Sequence, residues 1–137
     1  MFDVADPHMA PGAHPDSGRV VDGHAEEWER TYAMFNHLSL LSFHVCLPVI
    51  PALVMWLIKR DRSPFVDDHG REAINFQLSL VVYAIAVVPL VALLTCGAGA
   101  FLWIGVYVLG VVGMILAAVA ANRGEYYRYP ACIRFLR

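Results

Sequence analysis

Residues 73–122 contain no charged side chain and no histidine, and this run constrains the fold more than any other feature of the chain. A helix rises about 1.5 Å per residue, so about 20 residues cross a hydrocarbon core of about 30 Å. The run is therefore long enough for two crossings, and the sequence TCGAGA at 95–100 can form a tight turn between them. We predict membrane-spanning segments at about 74–94 and 101–121.

The composition favours the same class of protein. Hydrophobic residues make up 58% of the chain and mean hydropathy is +0.55, whereas charged residues reach only 16%, against about a quarter in an average globular protein. The charged residues lie in the N-terminal stretch, one central loop and the C-terminal tail. A net charge of −2 gives no clustered basic surface for nucleic acid. The predicted fold class is all-α, an integral membrane helical bundle.

The N-terminal stretch, residues 1–26, is rich in proline and glycine and poor in bulky apolar groups, which predicts a disordered tail without a signal peptide. Its three histidines are irregularly spaced and predict no metal site; they are His8, His14 and His24. The three cysteines of the chain form no CxxC pair and no disulfide framework, so we expect buried thiols. They are Cys46, Cys96 and Cys132.

The first hydrophobic segment, residues 31–58, contains no Asp, Glu, Lys or Arg but is interrupted by Pro48 and Pro51. Proline lacks the N–H donor and disfavours helical geometry at the preceding residue, so a break is expected near residues 47–50. A single kinked span and a helical hairpin, which would give four helices in all, are both compatible with this pattern. The segment is too short for two full crossings.

The distribution of basic residues predicts the orientation. Arginine and lysine concentrate in the loop at 59–72 and in the tail at 123–137, and the turn at 95–100 has none. The positive-inside rule therefore places both basic segments in the cytoplasm, with the protein in the cell inner membrane. The N-terminal tail lies outside if segment 31–58 spans fully and inside if it folds back; the charge rule favours the full span.

A small-residue stripe runs along the third segment, at Gly110, Gly113, Ala117 and Ala121. These residues recur every three or four positions on one helix face, where another helix can approach closely. Packing within the chain is the favoured interpretation, and dimerisation is the alternative. The tail GEYYRYPACIRFLR alternates tyrosine with arginine, which predicts a segment lying at the lipid headgroups.

The densest group of polar side chains lies between the first two hydrophobic segments. It comprises Asp67, Asp68, His69, Glu72 and Asn75. Capping of a helix that begins near Gly70, together with charge pairing at the interface, is the favoured interpretation; partner or lipid binding and a divalent-metal site are alternatives. No HExxH, nucleophile or nucleotide-binding motif accompanies the group, so we predict no catalytic, cofactor or metal site.

The run from Trp56 to Tyr83 resembles a bacterial domain-of-unknown-function family of small membrane proteins, similar to the Tic-twenty component of the chloroplast import translocon. The matching residues are Lys59, Ser63, Phe65, Val66, Asp67, His69, Gly70, Glu72, Asn75, Phe76 and Gln77, and Tyr129 and Pro130 match near the end of the chain. The resemblance covers about residues 30–137. It implies a four-helix membrane subunit without an assigned activity.

Three functional hypotheses follow. The leading one is a non-enzymatic membrane component in assembly, protein interaction or translocation, in contact with the lipid bilayer and with a membrane-protein partner or a second copy of itself. The second is an ion or small-solute pathway that uses intramembrane polar groups, namely His37, His44, Asn75 and Gln77. The third is a metal-dependent enzyme at the cytoplasmic face that uses Asp67, His69 and Glu72.

Overall fold

The computed structural model describes residues 18–44 and 49–136, and in this part of the chain it confirms the all-α fold class. The helices are α1 (Glu27–Leu38), α2 (Ile50–Lys59), α3 (Pro64–Val82), α4 (Val88–Leu94) and α5 (Leu102–Asn122). A π turn at Tyr83–Val87 joins α3 to α4 without interruption, so the described residues form four helical rods. Short 3-10 turns occur at Ser39–His44, Arg60–Arg62 and Ala98–Phe101.

Two of these rods are long and apolar enough to cross a membrane. Pro64–Leu94 has 31 residues and Ala98–Asn122 has 25, and the apolar 18-residue windows within them have mean hydropathies of 2.4 and 2.5, respectively. Large apolar side chains near their connecting turn are exposed, for example Leu93 at 79% and Phe101 at 77%. Such exposure would be costly in water and is favourable in lipid.

The π turn has a local cause. Pro89 has no backbone N–H and its ring crowds the preceding turn, so an unmodified α-helix cannot pass through it. The backbone N–H of Val88 instead donates to the carbonyl of Tyr83, five residues earlier. The helix thereby continues across the apolar region with one widened turn.

The first hydrophobic segment folds back on itself. Tyr32 donates to the backbone carbonyl of Met55 at 2.7 Å, and Lys59 Nζ lies 5.4 Å from the centroid of the Trp28 ring. The start of α1 therefore lies beside the end of α2, and the two helices are antiparallel. The hairpin alternative is confirmed and the full span is wrong. Pro51 lies in the first turn of α2, where a missing N–H costs little.

The structure differs from the predicted loop at 59–72, because α3 begins at Pro64 rather than near Gly70. Ser63 caps this helix by accepting a hydrogen bond from Val66 N–H at 3.2 Å, and proline suits the first helical position. Only residues 60–63 connect α2 to α3. Gly70 lies inside α3, where a Cβ would come within 2.3 Å of Trp56 Cδ1, so glycine permits the close contact between α2 and α3.

The small-residue stripe of α5 faces the interior of the same chain. All four of its residues are buried. A Cβ on Gly113 would lie 2.9 Å from Phe76 Cζ and 3.2 Å from the Tyr129 ring, and Ala121 packs with Ala33 of α1. The helix ends at Gly124, whose φ of +76° and the bond from Glu125 N–H to the Ala120 carbonyl form a Schellman motif.

The predicted disordered tail covers residues 1–26, of which 1–17 lie outside the described residues. Residues 18–26 differ from the prediction because they contact the end of α5. Val21 forms an antiparallel bridge with Glu125, and Arg19 forms a 3.1 Å ion pair with the buried Glu125 side chain. Ala25 is buried as well. These contacts compensate for the entropy of ordering the segment.

The antiparallel hairpin predicts that both of its ends face the same side of the membrane. Cysteines introduced as Glu27→Cys and as Asp61→Cys, each in a chain whose three native cysteines are replaced by serine, should react with an impermeant maleimide from one side of sealed vesicles. The native Cys96, kept as the single cysteine, should react from the opposite side, because it lies in the turn between α4 and α5. Labelling of Glu27→Cys and Asp61→Cys from opposite sides would contradict the hairpin.

Candidate functional site

Four polar side chains lie along one face of α3 and the first residue of the π turn that follows it, and they extend into the uncharged run. They are Glu72, Asn75, Ser79 and Tyr83, and we call them the α3 polar face. Their spacing of three and four residues aligns them along the helix. Tyr83 lies about 15 Å along the axis from Ala73, where the uncharged run begins. This face contacts the C-terminal segment, residues 127–136, which runs back along α3.

Asn75 makes three hydrogen bonds with this segment. Its Oδ1 accepts hydrogen bonds from the backbone N–H groups of Phe135 at 3.0 Å and Leu136 at 2.8 Å. Its Nδ2 donates to the backbone carbonyl of Leu136 at 2.9 Å. The hydroxyl of Ser79 accepts from the backbone N–H of Ile133 at 2.8 Å. All of these bonds are made to backbone atoms.

The two ends of the α3 polar face bind the segment in the same way. The Tyr83 hydroxyl donates to the backbone carbonyl of Ala131 at 2.5 Å. Glu72 accepts from the backbone N–H of Tyr129 at 2.9 Å and from the Arg134 guanidinium at 3.3 Å. Non-helical backbone at membrane depth needs partners within the protein, and the α3 polar face supplies them. The tail that the sequence predicts to lie at the lipid headgroups therefore runs along α3 and is hydrogen-bonded to it.

A second set of contacts forms a buried hydrogen-bonded chain across three elements. His37 Nε2 of α1 lies 2.8 Å from His69 Nδ1 of α3. The hydroxyl of Tyr129 lies 3.0 Å from His37 Nδ1. Both histidines are fully buried and Tyr129 is 4% exposed. We call these three residues the His–His–Tyr chain; it joins the first hairpin, the second helix and the C-terminal segment.

Aromatic rings enclose this chain. His69 lies between Phe65, with ring centroids 4.4 Å apart, and Tyr126, whose ring is stacked 5.9 Å away at 8°. The Phe76 ring stacks on Tyr129 at 3.7 Å. His69 Nε2 has no hydrogen-bond partner within the described residues.

Ion pairs lie around the first turns of α3. Asp68 receives two hydrogen bonds from the Arg128 guanidinium, at 2.6 and 2.7 Å, and this bonding raises the pKa of Arg128. Asp67 pairs with Arg71 and accepts from Trp56 Nε1 at 2.7 Å. Pairs exposed to this degree each contribute about 1 kcal/mol or less, so they orient side chains more than they stabilise the fold.

Burial raises the pKa of Tyr129, and the neighbouring Tyr127 and Glu72 raise it further. The phenol is therefore neutral and retains its proton at physiological pH. A neutral phenol can donate to a ring nitrogen, so Tyr129 can act as the donor to His37 Nδ1.

The residues proposed for a metal-dependent enzyme are directed to different partners. Asp67 contacts Trp56, His69 contacts His37, and Glu72 contacts the backbone of Tyr129. Within the described residues, no group of three or more His, Cys, Asp or Glu side chains is placed to hold a metal ion. The arrangement found at these positions joins structural elements and provides no convergent set of ligands.

The remaining motif residues also connect elements. Gln77 accepts from Val49 N–H at 2.9 Å and donates to Ser39 Oγ at 3.1 Å, and so joins α3 to both sides of the first hairpin. Lys59 lies over Trp28, and Pro130 lies in an exposed turn of the C-terminal segment. The side chain of His44 and all of Cys46 lie outside the described residues.

Sequence reasoning identified His37 and His69 separately but did not pair them. The available signal is weak: His37 shares a helix face with Ala33 and Leu40, both of which pack inward. A histidine in line with core residues needs a buried partner. Nothing in the spacing along the chain identifies that partner as a residue 32 positions away.

Two exposed apolar helices, a folded-back hairpin and a polar face that satisfies non-helical backbone define a class, the small multi-pass membrane proteins. Within that class, the chain belongs to the magnetosome magnetite crystal formation protein family, MamF/MmsF, whose profile matches residues 28–136. Comparison with curated proteins and with solved structures gives no match. The resemblance to a membrane-protein family is thus supported, and the likeness to the Tic-twenty component is not.

The His–His–Tyr chain predicts that removing the Tyr129 hydroxyl lowers the stability of the fold. Tyr129→Phe leaves His37 Nδ1 buried without a donor, so we expect the free energy of unfolding to fall by about 1–3 kcal/mol. Thermal unfolding in detergent would measure the change. Tyr127→Phe is the matched control, because this buried tyrosine makes no hydroxyl hydrogen bond within the described residues. An equal loss in both variants would contradict the assigned role of Tyr129.

Proposed function

We propose that this protein is a non-enzymatic membrane component of magnetite crystal formation that acts by binding another protein at its charged end. The charged end comprises the start of α1, the turn Arg60–Arg62, the first turns of α3 and residues 123–128. The observation that carries the proposal is the separation of the two ends of the molecule. Charged groups are collected at one end, and the connecting turn at the other end has none.

This separation determines which groups meet each aqueous phase. The turn at 95–100 is uncharged, and apolar side chains flank it, with Leu94 at 73% and Ile104 at 64% exposure. The positive-inside rule supports placing the charged end in the cytoplasm. We therefore propose a bacterial membrane location with the turn Arg60–Arg62 and the C-terminus on the cytoplasmic side.

The orientation supports an indirect role in crystal formation. Imidazole and carboxylate side chains are common ligands of non-haem iron in proteins. The turn at 95–100 offers hydroxyl and carbonyl oxygens but no carboxylate. A membrane-anchored protein of this shape is better suited to recruit or position a partner at the charged end than to contact a crystal across the membrane.

The charged end has an exposed surface suited to such contact. Asp61 has a side-chain exposure of 87%, and its ion pair with Arg60 is long, at 3.6 Å. Arg62 is exposed beside them. Glu27 of α1 is also exposed and lies at the same level as this turn, because α1 and α2 are antiparallel. Mixed exposed charges of this kind favour orientation-specific contact with a complementary protein surface.

The solute-pathway hypothesis receives less support. Asn75 and Gln77, two of its four residues, use their amide groups to bind the backbone of other segments. A transported ion would have to displace these bonds, and their loss would leave buried backbone groups unpaired. The metal-dependent enzyme receives less support for the same reason, because its residues are engaged elsewhere.

The proposal predicts that the order of charges in the exposed turn matters. In cells that lack the native protein, Asp61→Arg combined with Arg62→Asp keeps the net charge but should abolish restoration of normal crystals and co-purification of the partner after mild detergent extraction. Asp61→Glu combined with Arg62→Lys is the matched control and should restore both. Membrane levels of the two variants should be equal. Full restoration by the swapped variant would contradict the proposal.

A further inference from the structure

The His–His–Tyr chain has a preferred direction of hydrogen bonding. A neutral Tyr129 donates its hydroxyl proton to His37 Nδ1, so His37 carries its own proton on Nε2 and donates to His69 Nδ1. His69 then carries its proton on Nε2, its other ring nitrogen. The reverse direction would leave the buried Tyr129 hydroxyl proton without an acceptor within the described residues. Each histidine in the neutral chain therefore has one defined tautomer.

The charged and titratable groups around the pair come from α3, from the region that follows α5 and from the N-terminal stretch. From α3, Asp68 precedes His69 and is paired with Arg128 of the C-terminal segment. From the same part of the chain, Tyr126 stacks on His69 and donates its hydroxyl to Asp22 at 3.0 Å. Glu72 binds the backbone of Tyr129 rather than either ring. Among the described residues, no carboxylate forms a hydrogen bond with His37 or His69.

We propose that the His37–His69 pair is a proton-binding site whose occupancy controls how firmly the C-terminal segment is held on α3. An added proton enters at His37 Nδ1, the ring nitrogen that accepts from Tyr129. His37 then donates from both ring nitrogens, to the Tyr129 oxygen and to His69 Nδ1. The Tyr129 oxygen then accepts the hydrogen bond from His37 Nδ1–H. The buried O–H proton of Tyr129 is consequently left without an acceptor.

The direction of the effect follows from burial. A charged ring without a contacting carboxylate is costly in the interior, whereas a solvated histidine takes up a proton readily below about pH 6.5. Acidification therefore favours the state in which the chain opens and Tyr129 leaves its site. Because the backbone of Tyr129 is bound to Glu72 and the following residues are bound to the α3 polar face, loss of Tyr129 loosens the whole segment.

A spin label on the C-terminal segment tests this directly. The probe is a nitroxide on Phe135→Cys, at a side chain that is 52% exposed, in a full chain whose native cysteines are replaced by serine. Titration from about pH 8 to about pH 5 should convert the spectrum from an immobile to a mobile component. His37→Gln retains hydrogen-bonding groups but takes up no proton, so its spectrum should not change with pH. The control variant His24→Gln replaces an exposed histidine, so its spin label should show the same change of mobility with pH as in the parent chain.

Nuclear magnetic resonance of imidazole nitrogens in the parent chain provides a second readout that does not depend on a variant folding. It should show protonation of His37 Nδ1 over the same range as the change in mobility. A spectrum of the spin label that stays immobile to about pH 5, or an equal titration in His37→Gln, would overturn the proposal. This inference goes beyond the proposed function and is tested on purified protein without a partner. Failure of the inference therefore leaves the proposed function intact, and failure of the proposed function leaves the inference intact.

Discussion

The hydrogen bonds from the Asn75 side chain to the backbone of Phe135 and Leu136 represent the constraint on which the rest of the structure depends. Non-helical backbone cannot lie beside a membrane-embedded helix unless its N–H and C=O groups find partners. The Asn75 side chain supplies an acceptor oxygen and a donor N–H group. Ser79 and Tyr83 form hydrogen bonds to the backbone of the same segment further along the helix. The C-terminal segment can therefore fold back along α3.

This return path determines the packing of the other helices. The fold-back places the Tyr129 ring against Phe76, on which it stacks, and next to Gly113 of α5, whose lack of a side chain leaves room for the ring. From there its hydroxyl reaches His37 of α1, which in turn meets His69. The small residues of α5, the aromatic cluster and the histidine pair are consequently parts of one arrangement. A larger side chain at Gly113 would displace the tyrosine on which that arrangement depends.

Features governed by local chemistry could be predicted from the sequence. The uncharged run indicated two crossings, and the two prolines indicated the break in the first segment. The Ser63-Pro64 pair also has the signature of a helix start, so the beginning of α3, predicted near Gly70, could have been placed correctly. Contacts between distant segments could not be predicted, because spacing along one helix does not specify the residue it meets on another. The pairing of His37 with His69 and the return of residues 127–136 along α3 are of this kind.

The most direct test of this account measures hydrogen exchange at the backbone amides of Phe135 and Leu136 in the membrane-reconstituted protein. Asn75→Leu preserves the approximate size of the side chain but removes both hydrogen-bonding groups, so exchange at these two amides should accelerate about tenfold or more. Amides in the middle of α5 should remain protected, and Asn122→Leu at the exposed end of α5 should leave the two amides unchanged. Unaltered protection of Phe135 and Leu136 in Asn75→Leu would contradict the central role assigned to this residue.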